Sequence, residues 1–115
     1  MAENSQTTHW VSNYIETILL KVISVGDCYG YDLSKTIAKI TNGVCEIKEA
    51  TLYSGLRRLE AENRIASYWG EESLGGRRKY YTITHRGREF LAENRQKWES
   101  TVYLLNRILH WEGFV

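Results

Sequence analysis

Three consecutive cations, Arg77, Arg78 and Lys79, follow the glycine pair Gly75-Gly76. A second basic group, Lys48, Arg57 and Arg58, is interleaved with Thr51, Tyr53 and Ser54. Both patterns suit contact with nucleic acid. Arginine bonds two acceptors on a guanine edge or holds a phosphate, hydroxyls take part in either contact, and small residues allow close approach to a groove. Other chemistry finds less support. His9, His85 and His110 have no metal-ligand spacing, Cys28 and Cys45 lack a C-x-x-C arrangement, and no phosphate-cradling glycine loop occurs. No catalytic residue, metal or cofactor is therefore expected.

The chain has 115 residues and a formal net charge of +1, which alone suggests no polyanionic partner. The distribution says more. Residues 48–88 carry nine basic and five acidic groups, whereas 1–47 carry three and five, and 89–115 three and four. A phosphate-binding surface needs such a local excess, whatever the total. An apolar fraction of 43% is enough to build a core, so disorder is not expected. The polar N-terminus has no basic flank followed by an apolar stretch, and no uncharged apolar run is long enough to span a bilayer. The expected setting is the reducing cytoplasm, with both thiols free and no membrane contact.

The elements that must position these residues follow from periodicity. Val11, Tyr14, Ile15, Ile18, Leu19, Val22 and Ile23 form one apolar stripe, predicting a helix from about Thr8 to Val25 that ends in a left-handed Gly26. A second helix is read from Gly30 to Ile40 with Leu33, Ile37 and Ile40 inward, closed by Asn42-Gly43. A third runs from Glu49 to Glu62 with Leu52, Leu56 and Leu59 on one side and Asn63 as its stop. The period then changes. Residues 65–69 and 79–83 are β-branched and aromatic runs joined by a glycine-rich, charged segment, which reads as a β-hairpin. Thr84 caps a last helix from about His85 to Trp111. The expected fold is mainly α with a small β-hairpin, a winged helix-turn-helix plus a long C-terminal dimerisation helix. Residues 1–84 form the DNA-binding unit, its first helix also at the dimer interface, and 85–115 the dimerisation helix.

In this arrangement the leucine stripe turns Ala50, Ser54, Arg57 and Arg58 outward, with Thr51 and Tyr53 at the flanks. Lys48 precedes the first turn, where a cation opposes the helix dipole and cannot accept a capping bond. On the hairpin, Arg77 and Lys79 share one side and Arg78 takes the other. In the last helix Leu91, Trp98, Val102, Leu105 and Leu109 follow a heptad-like seam. Such an exposed seam is most simply covered by a second copy in a two-fold dimer, presenting two reading helices to an inverted-repeat operator in double-stranded DNA.

Ala50-Thr51-Leu52-Tyr53, Arg58-Leu59-Glu60, Gly76-Arg77-Arg78-Lys79-Tyr80-Tyr81 and Thr84-His85-Arg86-Gly87, in this order, resemble the PadR family of bacterial transcriptional regulators. Glu49 to Tyr53, Ser67-Tyr68-Trp69-Gly70 and Trp98 resemble its short multidrug-binding branch, the lactococcal multidrug regulator-like type. The resemblance implies a homodimeric winged-helix repressor with Tyr53 on the recognition helix and Arg78 to Tyr81 in the wing. It further implies a flat aromatic effector held between subunits by Trp98, with Trp10, Asn13 and Thr17 as lining and Val102 one turn beyond. The chain departs from that branch at Val102, where an acidic residue is usual, and at Arg95, where an aromatic wall residue is usual. The readings kept beside it are a winged-helix module for protein–protein contacts and a PadR-type regulator without a drug ligand.

Overall fold

The computed structural model describes residues 14–71 and 76–115. The first helix, α1 (Ile15–Val25), buries Ile15, Leu19, Leu20 and Ile23. Its stripe is the one read from the sequence; the expected stretch before Tyr14 lies outside the described residues. Gly26 departs from expectation. It is extended (φ −177°, ψ 149°) rather than left-handed, because the chain runs straight into a two-residue strand, β1 (Cys28–Tyr29). Helix α2 (Gly30–Ile40) buries Leu33 and Ile37. Ile40, expected inward, is 68% exposed, since it ends the helix one turn beyond Ile37, past the edge of the core. Asn42 (φ 52°) and Gly43 (φ 81°) reverse the chain in the left-handed region.

Helix α3 (Glu49–Ala61) turns Leu52, Leu56 and Leu59 inward together with Gly55. A methyl group on Gly55 would meet Leu19 at 3.0 Å, so glycine here lets α1 and α3 cross closely. Lys48 precedes the helix without any side-chain cap, and Asn63 (φ 61°) breaks the chain away into β2 (Ile65–Trp69). Strand β3 (Lys79–Ile83) pairs antiparallel with β2 from Ile65↔Ile83 to Trp69↔Lys79, and with β1 through Cys28↔Tyr81 and Tyr29↔Tyr80. The wing is therefore a three-stranded sheet of order β1-β3-β2 rather than a bare hairpin.

The last helix, α4 (His85–Leu109), starts at Thr84, whose hydroxyl accepts from the Gly87 amide at 3.0 Å and donates to the Asn63 carbonyl at 2.7 Å. Gly87 is required here because a side chain would overlap the Arg64 backbone carbonyl. Phe90 and Leu91 pack on the core, and the Arg64 guanidinium lies 3.6 Å from the centroid of the Phe90 ring. Beyond Trp98 the helix leaves the core. Leu104, Leu105, Ile108, Leu109 and Trp111 are all exposed. No helix among the described residues is long and apolar enough to cross a membrane.

Candidate nucleic-acid interface and ligand cleft

The outward face of α3 carries exposed Lys48 and Arg57, with Thr51 and Ser54 half-buried between them. The two arginines are not equivalent. Arg58 donates to the Ser54 hydroxyl at 3.1 Å, and its Nε lies 3.4 Å from Glu16 on α1. Arg57 has no hydrogen bond or ion pair among the described residues. Tyr53 is half-buried and turns back onto the start of α2, where its ring fills the space a side chain on Gly30 would need.

The wing cations divide by strand alternation. Lys79 reaches Glu60 of α3 at 3.6 Å and lies 5.6 Å from the Tyr81 ring centroid, on the face that packs on the core. Glu60 also accepts a hydrogen bond from Ser67, so one carboxylate joins α3 to both long strands. Arg77 stands 5.9 Å from the Trp69 ring on the same face. Arg78 lies on the opposite face, donates to the Tyr29 hydroxyl at 2.9 Å and covers that ring at 4.6 Å. There Tyr29, Tyr80 and Tyr68 form a row across the three strands, with centroid separations of 5.6 Å and 5.7 Å. The Tyr68 hydroxyl donates to Asp27 at 2.7 Å, a bond that pushes the phenol up. Burial first, then Glu60 and Tyr53, raises Tyr81, while Arg57 opposes the rise, so the Arg57 charge reaches the base of the wing.

Sequence reading missed Glu16 and Glu60 as tethers and the third strand with its tyrosine row. The tethers join residues far apart in sequence, and a two-residue strand has no alternation to detect.

Trp98, 38% exposed, meets Tyr14 edge-on at 5.1 Å between centroids. The two rings stand at one end of a cleft of about 320 Å³ between α1 and α4. Thr17, Ile18 and Lys21 line it from α1, Leu91 and Arg95 from α4. Thr17 and Trp98 line this cleft within one chain. Val102 is half-buried but does not line the cleft, and Trp10 and Asn13 lie outside the described residues.

His85 pairs with Glu89 at 2.7 Å on the surface, and among the described residues no three His, Cys, Asp or Glu side chains gather as a metal site. Burial, followed by Asp32 and Asp27, pushes the Cys28 thiol up to about 11, making it a poor nucleophile at neutral pH.

The transcriptional regulator PadR-like family model matches residues 19–93, from α1 through the first turns of α4. The chain belongs to the PadR-like transcriptional regulator family. This PadR-like regulator is 40% identical to a solved transcriptional regulator from Clostridium thermocellum, with a TM-score of 0.79 over 86% of this chain and 96% of that one. It is 37% identical to a PadR family transcription regulator from Clostridium difficile R20291, with a TM-score of 0.74 over 84% and 98%. Among curated proteins it is 42% identical to an uncharacterized protein of Lysinibacillus sphaericus, covering 90% of this chain and 93% of that one. It is also 29% identical to the transcriptional regulator YqjI of Escherichia coli (strain K12) across 74% of this chain, spanning 39% of that protein's length. The fold, mainly helical with a three-stranded antiparallel wing and a long C-terminal helix, is that of these solved relatives.

Proposed function

We propose that this PadR-like regulator is a cytoplasmic, homodimeric repressor that binds an inverted repeat in double-stranded DNA and releases it when a planar aromatic effector enters the α1/α4 cleft. The observation that carries the DNA reading is Arg57: an exposed arginine on the outer face of α3, without an ion-pair partner among the described residues, beside a wing tied to the same helix. Helix α3 enters the major groove. Arg57 and Lys48 meet a base edge or phosphate, Thr51 and Ser54 add hydroxyl contacts, and the wing cations Arg77 and Arg78 follow the flanking backbone. Arg58 and Lys79, held by Glu16 and Glu60, fix the angle of the reading helix and its wing, and Tyr53 seats that helix on α2.

The exposed apolar seam of α4 supports the dimer, since an uncovered patch of leucine, isoleucine and tryptophan favours association. Residues 1–84 then act as the reading unit and 85–115 as the dimerisation helix. Trp98 in an apolar cleft supports the effector and the closer likeness to the multidrug-binding branch.

The test is selection of duplexes from a random pool, followed by salt titration of the selected operator with and without planar dyes. Specific binding falls steeply with salt, with a slope set by the number of phosphates neutralised, and a bound effector weakens it. Salt-independent binding, or no selected sequence, would assign the fold to a protein–protein module instead.

A further inference from the structure

We infer that Tyr68 and Asp27 are positioning residues for the wing, and that the bond between them sets where Arg77 and Arg78 meet the duplex. The inference rests on the DNA reading above and extends it to the outer face of the sheet. Asp27 lies between α1 and β1, and β3 separates β1 from the edge strand β2. The Tyr68 hydroxyl of β2 nevertheless reaches the Asp27 carboxylate at 2.7 Å, so this side chain spans the sheet. Its ring stacks on that of Tyr80, its register partner in β3, with centroids 5.7 Å apart and planes 16° from parallel. The edge strand of the wing is thereby strapped to the end of α1.

The strap is continuous with the wing cations. Tyr80 also partners Tyr29 in the ladder and meets its ring edge-on at 5.6 Å. The Tyr29 hydroxyl accepts from Arg78 at 2.9 Å, next to Arg77. Gly70 closes the stack from the other side, since a side chain there would overlap the Tyr80 ring. The inner face is held separately, by Glu60 of α3 through Lys79 and Ser67. A sheet tied on one face can pivot about that tie, and a second carboxylate on the opposite face removes the freedom. Arg78 is then ordered before it meets a phosphate, which lowers the cost of binding. Tyr68 is 43% exposed and Asp27 is exposed, so neither belongs to the core. A bond so placed adds little to folding stability, and its effect lies in orientation.

The experiment measures binding of the full chain to the selected operator in two lengths. One is trimmed to the base pairs under the reading helices, and the other carries a further helical turn of duplex at each end. Tyr68→Phe keeps the ring stack and loses the bond. It should weaken binding to the long duplex about fivefold, with a shallower salt dependence, and leave the short duplex and the melting temperature almost unchanged. Asp27→Ala should match it, and the double variant should be no worse than either single one. Asp27→Asn still offers an oxygen to the phenol and should restore most of the affinity. Equal losses on both duplexes would show a general structural role and overturn the inference. So would unchanged binding by Tyr68→Phe, or a wild-type chain that does not distinguish the two lengths. A wild-type chain that selects no duplex would remove the DNA reading itself.

Discussion

The ring of Tyr53 fills the space that a side chain on Gly30 would need, so the third helix is seated directly on the first turn of the second. Gly30→Ala should therefore force the ring aside and cost about 1–3 kcal/mol of stability, even though alanine favours a helix. In a Tyr53→Ala background the same change should be neutral or stabilising. Urea midpoints of the two single variants and the double variant give the coupling directly. Additive effects would mean that the two residues do not share that space.

Arg57 and Arg58 are adjacent but differently engaged, and the proposed roles separate them. Arg57→Ala should weaken operator binding about tenfold or more with almost no change in folding stability. Arg58→Ala removes a partly exposed pair with Glu16, so it should cost at most about 1 kcal/mol of stability. Its effect on DNA should come with that loss, and Glu16→Gln should reproduce part of it. Gel shifts and denaturation on the same preparations distinguish the two. An unchanged gel shift for Arg57→Ala would remove it from the interface.

Two glycines, Gly26 after α1 and Gly87 in the first turn of α4, should respond in opposite ways. Gly87→Ala drives a methyl group into the Arg64 carbonyl and should cost at least about 2 kcal/mol, because a backbone atom cannot swing away. Gly26 is extended and has no atom near its missing side chain. Gly26→Ala should change stability by no more than about 0.5–1 kcal/mol and in the favourable direction, through the unfolded chain. Thermal melts of both variants check the pair.

Cys28 sets an expectation for alkaline pH. Its thiol is pushed from 9.0 up to about 11 in the fold, so the unfolded chain loses this proton first. The fold binds more protons than the unfolded chain between those values, and stability must fall as pH rises through that window, while below pH 9 the contribution is fully present. The burial-raised Cys45 and Tyr81 act in the same sense, so Cys28→Ala should flatten the decline without abolishing it. Urea midpoints across the alkaline range measure the slope. Alkylation of Cys28 in the native protein should be correspondingly slow at pH 8.

The exposed seam of α4 is the place to break the proposed dimer. Leu105→Glu or Ile108→Glu should yield a folded monomer by sedimentation, because neither side chain belongs to the core of its own chain. Operator affinity should fall with dimerisation, as two linked reading helices become one. A wild-type chain that sediments as a monomer at working concentration would defeat the two-fold arrangement.

Much of this fold was legible because local signals agreed. The stripes of α1 and α3, the Thr84 cap, the Asn42-Gly43 reversal and the Asn63 stop all depend on residues a few positions apart. What escaped depends on distant partners. Gly26 sits where a left-handed stop is usual, yet its conformation is dictated by the pairing of Cys28 with Tyr81 across the sheet. Ile40 continues its stripe, but helix periodicity does not reveal where the core ends. The basic residues of the candidate interface were visible individually. Which of them are held by Glu16 and Glu60, and which is left unengaged, is decided only by folding.

Glycine at position 55 brings α1 so close to α3 that the helix forming one wall of the cleft is also the bed on which the reading helix lies. A wedge that spreads α1 from α4 therefore needs no relay of side chains to be felt at the duplex. Under the proposed function, such a signal would have about one helix diameter, roughly 10 Å, to travel, a distance that rigid tilting of α1 would cover.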